Sequence, residues 1–302
     1  MTLPTHRPLI GVAFMLAAMA ILPGIDVIAK ILGREGLPIL QIVWARVAFG
    51  AVLTLPFALK VGGRAGLIPD RPAYHLFRAG FLIAATFLFF TSLKTLPIAD
   101  ALAIFFVQPL VVTLLSALVL RERVGPRRWT AVAIGFVGTL IIIRPGFAAW
   151  NPGNLYALGA GTSLAIYFVM TRSISGSAPA MVTTFQTNAM GTLIASVGVW
   201  AVWQAPTAGE WAMFAALGAI ATFGHYLIVR AYDHAEASLL APLAYTEMVT
   251  STLLGWWVFR DLPDGWTFLG VGILIGCAVY ISVRERQVKG RLEVPPEAIE
   301  TP

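Results

Sequence analysis

Two polar side chains, Gln108 and Glu247, stand 139 positions apart, each in the middle of an apolar run. Counted from the start of its run at 1.5 Å per residue, each lies about 14–15 Å deep. That is near the centre of a hydrocarbon layer about 30 Å thick. A carboxylate there costs on the order of 3 kcal/mol by insertion scales. Glu247 must therefore face a cavity, meet a cation or hold its proton. It is then either a site for a substrate amine or a coupled proton, or a protonated carboxyl tying two helices together. Leu243, Glu247, Thr250, Ser251 and Leu254 share one helical face, a partly polar stripe that could line water.

Arg46 is the second costly residue, about 12 Å into its run, with Asp26 about 8 Å below the same face. Arg46 can pair with Asp26, with Glu247 or with a substrate carboxylate, and the sequence leaves all three open. Gln41 and Trp44 lie one turn apart on the same helix and share a face. Phe105, Phe106, Tyr167, Tyr226 and Tyr245 also fall inside apolar runs. An interior lined this way suits planar rings and organic cations. His225 lies toward one end of its run, where it could titrate or simply hydrogen-bond. Other chemistries lack their residues. There is no His-Glu-x-x-His, no Gly-x-Ser-x-Gly and no Gly-x-x-x-x-Gly-Lys-Ser/Thr. The four histidines are scattered, and Cys277 is the only cysteine. No metal, cofactor, ATP site, intrachain disulfide or enzymatic activity is expected; an intramembrane enzyme is the reading of another class.

The elements that hold these residues are membrane spans. The 302-residue chain is 58% hydrophobic and 12% charged, against about 25% charged in soluble domains. Its mean hydropathy is +0.80. Ten apolar stretches are predicted, at 9–31, 38–59, 75–94, 98–120, 128–144, 153–172, 180–203, 210–230, 238–259 and 265–283. Breakers such as Pro38, Pro97, Pro126, Pro152, Pro179 and Pro263 separate many of them. With a cytoplasmic N-terminus, fifteen of the 21 Lys and Arg fall inside and five outside, Lys30 among the five and Arg78 among the fifteen. That bias fixes both termini in the cytoplasm. It also accounts for the net charge of +6 without nucleic acid. Arg7, the run from Leu9 and Ala18-Met19-Ala20 imitate a signal peptide. The run continues past Ala20, and its removal would leave one half a helix short.

The halves match. Leu120-Arg121-Glu122, Trp129-Thr130 and Gly135 read like Phe259-Arg260-Asp261, Trp266-Thr267 and Gly270. About five spans separate equivalent points, so the second copy enters the membrane upside down. The register places Gln108 on Glu247, Arg46 near Asn188 and Trp44 near Gln186. The expected organisation is an all-α membrane protein of two inverted five-helix repeats, 1–146 and 147–284, around a central cavity. A disordered cytoplasmic tail, 285–302, follows. Pro23-Gly24 and Pro56 are candidate kinks. Gly135-x-x-Gly138 and Gly272-x-x-x-Gly276 are candidate close-packing faces.

The acidic turns Arg121-Glu122-Arg123 and Arg260-Asp261, each followed by a Gly-rich span, resemble the drug/metabolite transporter superfamily and its EamA-type proteins. Pro109 matches that family's fourth-span proline; Met248 stands at the equivalent place. Within the family the chain looks closest to YddG-like exporters of aromatic amino acids. The resemblance implies a secondary transporter of a bacterial-type inner membrane, exporting amino acids or similar amphipathic metabolites by alternating access. A monomer is expected, with a dimer as the alternative. The implied cavity comprises Gln41, Trp44, Arg46, Phe105, Gln108, Tyr167, Gln186, Asn188, Tyr245 and Glu247, with Glu247 the proton-coupling candidate. A nucleotide-sugar or sugar-phosphate carrier ranks lower, because that cargo needs several deep cations.

Overall fold

A computed structural model describes residues 8–118, 126–143, 151–174, 178–234, 243, 246–273, 275–276 and 280. All regular structure among them is helical. Among the described residues, four stretches are long and apolar enough to cross a membrane: Leu9–Arg34, Ile39–Gly62, Pro72–Ser92 and Ala208–Ile228.

Prolines set where the helices begin and break. The first stretch is two helices, α1 (Pro8–Ile21) and α2 (Pro23–Arg34). Pro23 has no N–H to continue the ladder, so α2 restarts at it. α3 (Ile39–Gly62) starts behind Pro38. Its C-cap is Gly63, whose φ of 63° ordinary residues avoid. α4 (Pro72–Ser92) begins on a proline. The stretch read as one fourth span is divided into α5 (Ile98–Phe105) and α6 (Gln108–Leu118). Pro109 explains the division, because it has no N–H for the Phe105 carbonyl. Gly161 packs against that freed carbonyl; a Cβ there would sit 2.5 Å from the Phe105 oxygen.

The remaining helices are α7 (Pro126–Ile143), α8 (Pro152–Ser173), α9 (Ala180–Val199), α10 (Ala208–His234) and α11 (Thr246–Leu254). α11 runs into a π-helical turn, Gly255–Phe259, and residues 265–273 are helical again.

Packing runs mainly between the halves: α3 on α9, α4 on α8, α1 on α10. Exchange the halves, so that α1–α2, α3, α4 and α5–α6 correspond to α8, α9, α10 and α11. The α1–α10 contact then becomes α8–α4, and α3–α10 becomes α9–α4. The contacts of α5 and α6 with α8 become those of α11 with α1 and α2. Each of these named counterparts is present.

The self-equivalent pair α3–α9 runs antiparallel. Trp44 near the start of α3 meets Ser196 near the end of α9. Gly62 at the end of α3 meets Val182 near the start of α9. α7 and the 265–273 helix also cross antiparallel, where a Cβ on Gly138 would lie 3.2 Å from the Gly270 carbonyl. Lipid is as apolar as a side chain, so such glycine-lined approaches carry helix association that burial alone cannot. Among the described residues, a Cβ on Gly272 or Gly276 would meet nothing within 4 Å. The close-packing face in that helix is therefore Gly270, and not the expected Gly272–Gly276 pair. The main core spans both halves and includes Ile42, Val47, Ile104, Phe214 and Leu217.

Candidate functional site

The breaks and first turns bring charge to the middle of the bundle. Asp26, 8% exposed, lies in the first turn of α2, just past the break. Glu247 lies in α11. Asp26 interacts electrostatically with both Glu247 and Arg46. Arg46 interacts in turn with Tyr167, and His225 with Arg46. The five residues come from α2, α3, α8, α10 and α11, so both halves contribute.

Among the described residues, Arg46 makes no ion pair within 4 Å. It donates to Thr86 Oγ1 at 2.6 Å, and its Nε has no hydrogen-bond partner. Thr86 gives its own proton to the Leu82 carbonyl at 2.9 Å, which leaves its oxygen free to accept. Arg46, Tyr167 and Glu247 are half-buried and His225 is exposed, all within the interacting cluster.

A second arginine lies deeper than the sequence suggested. Arg78 falls in α4 with no exposed surface, whereas it was counted with the cytoplasmic ends. It donates to Thr187 Oγ1 at 2.7 Å and Thr171 Oγ1 at 3.3 Å, and lies 3.3 Å from His75 Nδ1. Its guanidinium sits 5.6 Å from the Tyr167 ring centre. Tyr167 is thus shared by Arg46 and Arg78.

Lys30, counted as an outer-loop residue, is also a correction. It lies within α2, 5% exposed. Its Nζ donates to Asp261 Oδ2 at 2.8 Å and to the Leu96 carbonyl at 3.1 Å, and sits 4.9 Å from the Phe259 ring centre. Arg260, left-handed at φ 61°, ends the π-helical turn so that Asp261 can reach back to Lys30. The tie joins the end of α2 to the turn after α11.

The other expected cavity residues divide. Gln108 begins α6, immediately after the break, and is half-buried. Phe105 packs on Phe89 with ring centres 4.9 Å apart. Asn188 faces Gly50 across the α3–α9 crossing. Tyr245 lies outside the described residues. Three residues have structural partners instead of a free face. Gln41 is fully buried; its Nε2 donates to the Gln204 carbonyl at 2.7 Å, and its Oε1 accepts from the Gln204 N–H at 3.0 Å. Trp44 donates to Ser196 at 2.9 Å and packs edge-on against Trp203. Gln186 donates to the Gly66 carbonyl in the α3–α4 loop at 2.8 Å, with its Oε1 unpartnered. Trp44 and Gln186 therefore meet opposite ends of the α3–α9 pair and do not share a depth.

Comparison with known proteins gives the family. The EamA-like transporter family matches residues 9–144 and 151–283, one match in each half. The chain belongs to the EamA-like transporter family. It is similar to a protein of Rickettsia bellii named S-adenosylmethionine uptake transporter, 27% identical over 93% of this chain and 96% of that one. A riboflavin transporter of Vibrio cholerae is 28% identical, over 95% and 97%. A pseudopaline exporter of Pseudomonas aeruginosa is 28% identical, over 79% and 84%. These relatives are named for cargoes other than aromatic amino acids, so they do not carry the narrower YddG-like resemblance. A solved crystal structure, 21% identical, matches with a TM-score of 0.64 over 92% of this chain and 98% of its own; that likeness is one of fold.

This EamA-like chain is thus a membrane transporter, and two of its buried cations escaped the reading of spans. Hydropathy marks where a span ends but not which way a terminal Lys or Arg turns. For Arg78 a signal existed: it stands six residues past Pro72, about 9 Å into the helix, deep for a residue meant to reach headgroups.

Proposed function

We propose that this chain is a secondary transporter working by alternating access on small metabolites that combine an amino-acid head group with a planar or apolar body. The carrying observation is that Asp26 feels both Glu247 and Arg46 while none of the three closes an ion pair among the described residues. Carboxylates suit a substrate ammonium, and an arginine suits a substrate carboxylate. Tyr167 beside them offers a ring face. S-adenosylmethionine, named for one relative, carries such a head group. Amino acids, the expectation from the sequence, carry it too. Gln108, Asn188, Phe105 and Tyr245 are proposed to line the same cavity through the repeat register, with Glu247 as the proton-coupling candidate.

The proposed architecture is ten spans in two inverted repeats, monomeric, with both termini in the cytoplasm and the membrane a bacterial inner one. Its support is the antiparallel crossing of α3 with α9 and of α7 with the 265–273 helix. Equivalent helices related by an axis along the membrane normal would run parallel; an axis in the membrane plane makes them antiparallel. A periplasm-sensitive reporter fused after Arg286 should stay silent, and a periplasmic signal breaks this map.

The deciding assay is counterflow in proteoliposomes with labelled tryptophan, phenylalanine, threonine, S-adenosylmethionine, riboflavin and a nucleotide-sugar, with and without a pH gradient. Saturable exchange of head-group-bearing substrates supports the reading, and dependence on the gradient makes Glu247 the proton site. The gradient direction that drives flux also tests export, since the relatives include an uptake transporter and an exporter. Exchange of the nucleotide-sugar alone would transfer the site to the second reading, which Arg78 strengthens by adding another deep cation.

A further inference from the structure

We propose that Arg78 is a second anion-binding position on the substrate path and exchanges the carboxylate of the cargo with Arg46. The proposal rests on the transport reading and adds to it that the cargo must be carboxylate-bearing.

Arg78 is among the largest fully buried side chains. Of its five N–H groups, three have described partners: Thr187, Thr171 and His75, all able to be neutral. Its Nε has none, and no carboxylate lies within ion-pair distance among the described residues. A buried guanidinium with no anion is costly, and an apolar side chain of similar volume would hold helices together at less cost. The neighbours also look prepared for a cation. Thr187 gives its proton to the Thr183 carbonyl and Thr171 to the Tyr167 carbonyl, both at 2.7 Å. Both hydroxyl oxygens are thereby turned to accept from Arg78, which fixes the plane of the guanidinium. Such fixing is what a bidentate anion site requires.

The route is short. Arg46 holds Thr86 of α4, and Arg78 stands eight residues earlier on that helix, about 12 Å along it. Tyr167 lies between them, in contact with the Arg78 cation and in the field of Arg46. Arg78 has no exposed surface; the proposed route to it runs past Tyr167, the ring that meets the Arg78 cation and also lies in the field of Arg46. In the proposed topology this leads toward the cytoplasm.

The test is counterflow by the full chain in proteoliposomes, using L-tryptophan against tryptamine and S-adenosylmethionine against its decarboxylated form. Arg78→Gln should raise the half-saturation of the two carboxylate-bearing compounds about 10–100-fold, as loss of a charge-assisted bidentate contact does. The two decarboxylated compounds should change less than about 3-fold, because they never made that contact. Arg78→Lys keeps the charge and loses the fork, so it should shift only the carboxylate pair, by about 3–10-fold; it also serves if the glutamine variant does not fold. Equal changes in both pairs, or none, overturn the proposal. If the wild type carries none of the four, the transport reading has failed for this cargo. The anion site is then decided by the melting temperature of the purified full chain in sodium phosphate against sodium chloride of equal ionic strength. Stabilisation by phosphate that Arg78→Gln abolishes sustains it; stabilisation in both proteins or in neither overturns it.

Discussion

Lys30 and Arg46 are both cations drawn into the bundle, but their surroundings are opposite. Lys30 has a carboxylate at 2.8 Å, a carbonyl at 3.1 Å and a ring face. Arg46 has a threonine hydroxyl, an empty Nε and one carboxylate, Asp26, that shares its field without closing on it. The first is a finished tie between α2 and the turn after α11. The second is a charge whose partner is not supplied by the described chain. A carrier needs both kinds, because ties hold one end of the bundle shut while unpaired charges stay available to a cargo that comes and goes. The comparison can be broken at either end.

The largest effect is expected in the unpaired region. Glu247→Gln should cut counterflow by more than about 10-fold, or abolish its response to a pH gradient, since intramembrane carboxylates are functional by default. The melting temperature should hardly move, because no closed ion pair is lost. Wild-type flux in that variant would return Glu247 to a structural role. The tie should behave the other way, with a built-in asymmetry. Asp261→Asn strands a Lys30 side chain that is 4% exposed, and should cost about 3–5 kcal/mol of stability. Lys30→Met leaves the 27%-exposed Asp261 side chain, which water can reach, and should cost about 1–3 kcal/mol. Denaturation of the two variants side by side reads the difference, and equal small losses would reduce the tie to a surface pair.

Glycines sharpen the same contrast at a smaller scale. A Cβ at Gly270 would meet Ile142 at 2.3 Å and the Gly138 carbonyl at 2.7 Å, so Gly270→Ala should cost about 1–3 kcal/mol by overpacking. Gly272 faces open space, and Gly272→Ala should stay within about 0.5 kcal/mol. If both variants melt together, the helices do not cross at Gly270.

Much of this arrangement was legible before any coordinates. The two matching turns, Arg121-Glu122 and Arg260-Asp261, announced the two copies that the family matches, one in each half. Glu247 and Arg46 stood out because ionisable groups in apolar runs are rare and costly. Pro23 announced the α1–α2 break. Pro109 carried the α5–α6 break, although the run around it was read as continuous. What stayed hidden depends on partners distant in sequence. Nothing local says that Lys30 reaches Asp261, or that Arg78 turns inward to Thr187 on another helix. Trp44 and Gln186 matched in register yet parted in space, because an antiparallel pair carries equivalent positions to opposite ends.

Gln41 gives the finest test. A polar residue on an apolar helix, one turn before Trp44, reads as cavity lining. Its real partner is the backbone of Gln204, 163 residues away, through one donated and one accepted hydrogen bond. An amide is suited to that role because it offers a donor and an acceptor in one plane. Gln41→Leu removes both and should cost about 1–3 kcal/mol, toward the low end because the loop at Gln204 can turn to water. Gln41→Glu should be worse than leucine. A carboxylate still accepts from the Gln204 N–H, but its second oxygen then faces the Gln204 carbonyl at the 2.7 Å now spanned by a hydrogen bond. Neither variant should alter the half-saturation for any transported compound. A selective rise for one substrate would restore Gln41 to the cavity and move the boundary between the region that holds the bundle together and the region that binds.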